Sequence, residues 1–136
     1  MTFPVLRATV LDAPDARAVA EFWRQLLGYR YRAGDESGDA DWLVLRDAAG
    51  VARLAVQEVA ELPAATWPDP QVPQQLHLDL TVGDTDALSE QRDRAVALGA
   101  RILEDRADDA EEPLYVFADP AGHPFCIFVS PDHPPA

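Results

Sequence analysis

The chain predicts an α+β fold built from two tandem copies of one module, each a strand, a helix and further strands. The first observation is a pair of helix ends. Phe22, Trp23, Leu26 and Leu27 run into Gly28, and about 71 residues later Leu88, Ala95, Val96 and Leu98 run into Gly99, so that both stripes close on Leu-Gly. The second is a pair of turns. Asp47-Ala48-Ala49-Gly50 leads into Val51 to Val56, and Asp119-Pro120-Ala121-Gly122 leads into His123 to Val129. The third is a break between the copies, where Pro63, Pro68, Pro70 and Pro73 surround Trp67. At 136 residues and 48% hydrophobic, the chain has the length and material for one domain with a core. Module one covers about 3–58, the Pro-rich linker about 59–74 and module two about 75–130.

Each element has a local reason. Val5 to Leu11 is apolar and rich in β-branched residues, which predicts a first strand, and Asp12-Ala13-Pro14-Asp15 punctuates it. Asp15 suits an N-cap. Val19, Phe22, Trp23, Leu26 and Leu27 then recur at helical spacing, and Gly28 supplies the stop. Tyr29 to Arg32, Leu43 to Leu45 and Leu54 to Val56 read as strands, the last two joined by the turn at Asp47 to Gly50. In the second copy, Leu76 to Val82 alternates strictly, with leucines on one face and His77, Asp79 and Thr81 on the other. Asp84 caps a helix that ends at Gly99. Arg101 to Leu103, Leu114 to Ala118 and Phe125 to Val129 complete the strands, and the acidic run Glu104 to Glu112 reads as a solvated hairpin loop.

Composition excludes several function classes. The formal charge is −13, and every basic residue is arginine. Such a surface repels phosphate backbones, so no nucleic-acid partner is expected; it suits solubility or a cationic ligand. No stretch approaches the roughly 20 apolar residues of a membrane span, and Met1-Thr2-Phe3-Pro4 lacks the pattern of a secretory signal, so the expectation is a cytoplasmic protein without a membrane partner. A single cysteine, Cys126, precludes an internal disulfide and is consistent with a reducing compartment.

Few residues can carry chemistry. His77 and Asp79, two apart on a strand, point into the same space, where the carboxylate could orient the imidazole as a general base would need; the alternative is a structural pair tied to a neighbouring strand. Cys126 lies between Phe125 and Ile127 with no basic neighbour in sequence, which reads as a buried apolar thiol rather than a nucleophile. Trp67 either plugs exposed apolar surface or walls a binding site, and the long segment holding it suits a lid or a dimer contact. His123 and His133 fall in a turn and a Pro-rich tail. No phosphate loop, nucleophile elbow or paired-cysteine motif occurs.

Ala20-Glu21-Phe22-Trp23 through Leu26-Leu27-Gly28, Gln75-Leu76-His77-Leu78-Asp79-Leu80, Ala97-Leu98-Gly99-Ala100 and the Asp-Pro-Ala-Gly turn with its following strand resemble the vicinal oxygen chelate superfamily. More narrowly, the chain resembles the glyoxalase-like domains of the glyoxalase, bleomycin-resistance and dioxygenase type, over nearly its whole length. The resemblance implies two tandem βαβββ modules forming a curved mixed sheet around a cavity, with helices on the outer face. It also implies a homodimer, since bleomycin-binding relatives form clefts between two chains.

Metal-dependent members of that superfamily place a His or Gln on the first strand and a Glu on the last strand of each module. His77 matches the first-strand ligand of module two, and Cys126 stands where its glutamate would be. In module one the copy spacing sets Leu6 opposite His77 and Leu54 opposite Cys126; a shift of two brings up Ala8 or Val56, which donate nothing either. At most two of four ligand positions survive, so no metal and no cofactor are expected. Gln57 could stand in for a missing ligand only if a bulge shifts the register.

The function these residues imply is metal-free binding of a small molecule, of the drug-binding or resistance type, with His77, Asp79, Gln57, Trp67 and Cys126 as candidate contacts. Two alternatives stand beside it. One is a metal-independent or degraded metal-dependent lyase, isomerase or hydrolase with His77 as base, and the other is a purely structural or regulatory dimer.

Overall fold

The computed structural model of the chain describes residues 1–135. These divide into two compact units, one ending at Leu62 and the other beginning at Pro63, each a βαβββ module with its own four-stranded mixed sheet. The first unit holds β1 (Thr9–Ala13), α1 (Ala16–Leu27), β2 (Arg30–Tyr31), β3 (Trp42–Arg46) and β4 (Ala52–Glu58), ordered β1-β4-β3-β2. The second holds β5 (Leu78–Val82), α2 (Thr85–Leu98), β6 (Arg101–Arg106), β7 (Leu114–Ala118) and β8 (Pro124–Val129), ordered β5-β8-β7-β6. In each unit the first strand runs parallel to the last, because the helix between them carries the chain back over the sheet, and the remaining pairs are antiparallel.

Helix α1 forms for the reasons its sequence gives. The Asp15 carboxylate accepts from the Ala18 amide at 3.0 Å, and Gly28 turns the chain out in the left-handed conformation. Between them Val19, Phe22, Trp23 and Leu26 form a buried stripe, with Trp23 wholly enclosed and edge-on to Phe22 at 5.3 Å. The stripe meets the strand face that carries Leu11, Ala13, Leu43, Leu45, Leu54 and Val56, all buried.

Helix α2 buries less, with only Leu88 and Ala95 enclosed; Val96, expected on the stripe, is exposed. It is held by polar devices. Asp84 accepts from the Ala87 amide at 2.8 Å, and Arg92 donates to the Tyr115 hydroxyl at 2.9 Å. Beneath it, Phe117 stacks on Phe125 at 5.1 Å, with Tyr115 and Ile127 alongside in the second core.

Three expected boundaries move. The first strand is Thr9–Ala13 and not Val5 to Leu11, since β1 exists only where it pairs with β4, from Thr9 opposite Leu54 to Ala13 opposite Glu58. Val5 and Leu6 precede that ladder and are each 90% exposed. Likewise β5 begins at Leu78, which leaves His77 just ahead of the strand. Finally, Glu104 to Arg106 belong to β6 and not to the hairpin loop, because Glu104, Asp105 and Arg106 pair with Val116, Tyr115 and Leu114 after a bulge that begins at Ile102.

The Pro-rich segment is ordered by its own contacts. Thr66 exchanges backbone hydrogen bonds with Val72 and Asp69, its hydroxyl accepts from the Val72 amide at 2.9 Å, and the Trp67–Pro68 bond is cis. Ala64 lies so close to Gly122 that a Cβ added there would fall 2.5 Å from the Ala64 Cβ.

Candidate functional site

The second unit's sheet sorts its side chains by strand alternation. Leu78, Leu80 and Val82 share a face with Phe125, Ile127, Tyr115 and Phe117, whereas Asp79 shares the other with Cys126, Val116 and Glu104, which are consecutive partners across the four strands. Parallel pairing of β5 with β8 sets Asp79 directly against Cys126. His77, preceding β5 on the same side, swings its Nε2 to 3.1 Å from Asp79 Oδ1. The ligating atoms of His77, Asp79 and Cys126 consequently lie within 4.8 Å of one another, and among the described residues this is the one such group of three.

The group is accessible. The side chains of His77 and Asp79 are 43% and 56% exposed, so the pair faces solvent rather than serving as a buried tie. Cys126 is half-buried, which corrects the reading of a wholly buried thiol: it lies on the face opposite the core, between Phe125 and Ile127, which point inward. Its thiol is pushed up to about 11, first by burial and then by the Asp79 carboxylate, which repels a thiolate and accepts a hydrogen bond from the neutral thiol, with Glu104 and Glu112 adding to the repulsion. In this setting the thiol is protonated and a poor nucleophile at neutral pH.

The structure also revises which residues of the two units correspond. Helix α2 has 14 residues against 12 in α1, so a spacing measured at the closing glycines overshoots by two at the first strands. Counted from the N-caps Asp15 and Asp84, His77 corresponds to Ala8 and Asp79 to Val10; because Val10 pairs with Ala55 as Asp79 pairs with Cys126, the counterpart of Cys126 is Ala55 and not Leu54. Neither alanine can ligate, so the first unit still supplies no donor at these two positions. Gln57 lies on the face of Ala55, opposite Asp12, with no bulge beside it on the β1 side. It is exposed and outside the His77 group.

The remaining candidates take other roles. Trp67 is half-buried in its own turn and contributes no atom to the group. The Asp119 carboxylate, buried in its turn, accepts from the amides of Ala121 and His123. His133 Nδ1 is 2.8 Å from the Thr81 hydroxyl, which ties the tail to β5.

Sequence reasoning missed a polar cluster in the first unit. A cavity of about 360 Å³ is lined by Arg17, Glu21, Arg24, Arg30, Tyr31 and Glu36. Glu21 accepts from Arg24 at 2.7 and 2.9 Å and from the Tyr31 hydroxyl at 2.6 Å, and the Arg17 guanidinium lies 4.9 Å from the Tyr31 ring centre. The hydrogen bonds from Arg24 hold the Glu21 carboxyl below its ordinary range, while burial raises the Tyr31 hydroxyl. The three-residue spacing of Glu21 and Arg24 on one helix was the available signal. These charges largely satisfy one another.

Comparison with known proteins places this geometry. No curated protein matches the chain. Among solved structures, a glyoxalase/bleomycin resistance protein/dioxygenase family enzyme from Burkholderia phytofirmans superposes with a TM-score of 0.70 at 16% identity, covering 93% of this chain and 98% of that one. A glyoxalase-related enzyme from Fulvimarina pelagi gives 0.70 at 19% identity, covering 98% and 94%. The fosfomycin resistance protein of Listeria monocytogenes, solved with Mn(II) and sulfate, gives 0.65 at 17% identity, covering 96% and 94%. The glyoxalase-like domain model matches residues 8–128, from the residue before β1 to the penultimate residue of β8. With that span matched and both modules present, the chain belongs to the glyoxalase-like domain family, within the vicinal oxygen chelate superfamily.

Proposed function

We propose that this protein binds a small molecule of the drug or natural-product class on the face of its second sheet that carries His77, Asp79 and Cys126, without the hard divalent cation used by metal-dependent members of the superfamily. The observation that carries the reading is the His77–Asp79 pair, 3.1 Å apart and solvent-facing beside Cys126. An imidazole, a carboxylate and a neutral thiol share this face with Val116 and Phe128 and with the polar Thr81 and Glu104, a mixture of apolar and polar contacts of the kind a small-molecule site uses. The hard cation is left out because the donors do not suit it. Ala8 and Ala55 replace two ligands, and Cys126 puts sulfur where Mg²⁺ or Mn²⁺ takes oxygen.

The likeness to a fosfomycin resistance protein supports a drug-directed role, and the net charge of −13 favours a cationic ligand. The proposal includes a cytoplasmic homodimer, for which the exposed Phe3, Val5 and Leu6 offer apolar surface; sedimentation at twice the chain mass of 14.9 kDa tests it.

A second reading rests on the same pair. With Nε2 directed at Asp79, the His77 Nδ1 is left for a substrate proton, the arrangement of a general base in a lyase, isomerase or hydrolase. A thermal-shift screen of cationic natural products, carboxylates and aldehydes tests binding first. A ligand at 100 times its Kd adds about 2.7 kcal/mol of stability. A response confined to one class, lost in His77→Ala, is the expected result, and a flat response across all classes refutes the binding reading. Turnover lost in His77→Ala with affinity retained would favour the enzyme.

A further inference from the structure

The edge of the first sheet carries a charge arrangement that folding alone disfavours. Strands β2 and β3 run antiparallel, with Tyr31 opposite Leu45 and Arg30 opposite Arg46. Leu45 is buried and the Tyr31 hydroxyl reaches Glu21 of α1, so strand alternation turns Arg30 and Arg46 together onto the face away from that helix. Directly opposed residues hold their Cβ atoms about 4.5–5.5 Å apart, and like charges in that position repel.

In a chain with 24 acidic residues against 11 basic ones, an acidic neighbour would be the ordinary remedy. None is supplied. Among the described residues neither Arg30 nor Arg46 has an ion-pair partner, while Glu21 is engaged by Arg24, Asp35 by Arg32 and Asp47 by Arg53. Arg32 extends the cluster. Its amide donates to the Val44 carbonyl at 2.8 Å, which continues the pairing past Tyr31 and sets its side chain on the face of Arg30. Its one counter-ion is the buried Asp35 carboxylate, 3.2 Å away. Arg30 and Arg46 therefore leave two positive charges unmatched side by side, with Arg30 exposed and Arg46 half-buried.

We propose that Arg30 and Arg46 clamp a tetrahedral oxyanion, the phosphate or phosphonate group of a small molecule, with Arg32 at its flank. A guanidinium presents its N–H groups as a rigid fork, and one fork saturates the two oxygens of a carboxylate. Two adjacent forks instead fit a group with three oxygens and two negative charges. The acidity of the whole chain does not oppose this, because most of the acidic excess belongs to the second unit and charges more than about 10 Å away are screened at 0.1 M salt. The clamp uses neither His77, Asp79 nor Cys126, so it stands or falls separately from the binding reading above.

The test titrates the full chain at low ionic strength and about pH 8, by calorimetry and thermal shift, with inorganic phosphate and with phenyl phosphate, a dianion there. Acetate serves as the planar comparison. The expected result is one phosphate per chain, weakened about 10-fold or more in Arg30→Gln and in Arg46→Gln. In phosphate-free buffer each of these variants should melt about 1–4 °C above the parent, because the opposed charge is gone. Arg101→Gln, which removes an exposed arginine of the second unit that also lacks an ion pair, should bind phosphate as the parent does. Phosphate affinity unchanged in Arg30→Gln and Arg46→Gln, an equal loss in Arg101→Gln, or acetate bound as tightly as phosphate overturns the clamp. So does a lower melting temperature of both variants in phosphate-free buffer, since the two arginines would then be structural partners. A phosphate response lost in His77→Ala would put the anion on the second unit and refute the clamp alone, whereas a flat compound screen beside intact phosphate binding refutes the binding reading alone.

Discussion

Adding one methyl group at Gly122 should cost far more than adding it at Gly28, although both glycines have positive φ. At Gly28, φ is +69° and nothing lies within 4 Å of the added Cβ, so Gly28→Ala meets only the left-handed strain of an L-residue, about 1–2 kcal/mol. At Gly122, φ is +92°, and the new Cβ would fall 2.5 Å from the Ala64 Cβ and 3.0 Å from its Cα. Carbon atoms rest about 3.5–4.0 Å apart, so the overlap is roughly 1 Å and adds about 1–3 kcal/mol to the strain, or about 2–5 kcal/mol in all. Urea unfolding followed by tryptophan fluorescence reads both, with Trp23 and Trp42 in the first unit and Trp67 in the second. Ala64→Gly in the Gly122→Ala background should return about 1 kcal/mol or more, because it removes the closer atom but leaves the Cα and the strain. The contact bears on the site because the Asp119–Gly122 turn feeds β8, which carries Cys126. A Gly122→Ala variant no less stable than Gly28→Ala, or no recovery in the double variant, would refute the packing of the Pro-rich segment on this turn.

Other outcomes follow from single groups. With its thiol at about 11, Cys126 should react with iodoacetamide at pH 7 about 100-fold more slowly than a thiol at the reference value of 9.0; the rate should climb through pH 10, and Asp79→Asn should accelerate it, whereas a plateau near pH 9 would contradict the assignment. Because the folded value is raised, the neutral thiol's contribution to stability is complete below pH 9 and lost as pH rises from 9 through about 11, which urea midpoints of the parent against Cys126→Ala should follow. Asp119→Ala strands the Ala121 and His123 amides and should cost about 2–4 kcal/mol in urea unfolding, with Asp119→Asn costing less because it keeps an acceptor oxygen. Asp84→Ala should cost about 1 kcal/mol and raise amide exchange in the first turn of α2; no change would mean the cap at Ala87 is idle.

What the sequence made legible was local. Asp15, Gly28, Asp84 and Gly99 declare the ends of both helices because each acts on backbone groups within four residues, and the two Asp-x-x-Gly turns are readable for the same reason. What it obscured was set by distant partners. Val5 and Leu6 have strand-like side chains, yet β1 begins at Thr9, where Leu54 is there to pair with it. The two-residue difference in helix length, invisible to a fixed copy spacing, displaced the correspondence of His77 from Ala8 to Leu6. His77 and Asp79 were readable as neighbours on one edge of a strand; that Cys126 completes the group depends on the parallel register of β5 with β8, which no local pattern encodes.

The most direct test uses the fact that the chain has only three histidines, His77, His123 and His133, so that its imidazole NMR signals are few enough to assign by single substitutions. Titration with the compound that most raises the melting temperature should move the His77 ring signals saturably, while those of His123, in the Asp119 turn, stay in place. Saturation of binding with the His77 ring unmoved would put the ligand elsewhere and contradict the site proposed on this face.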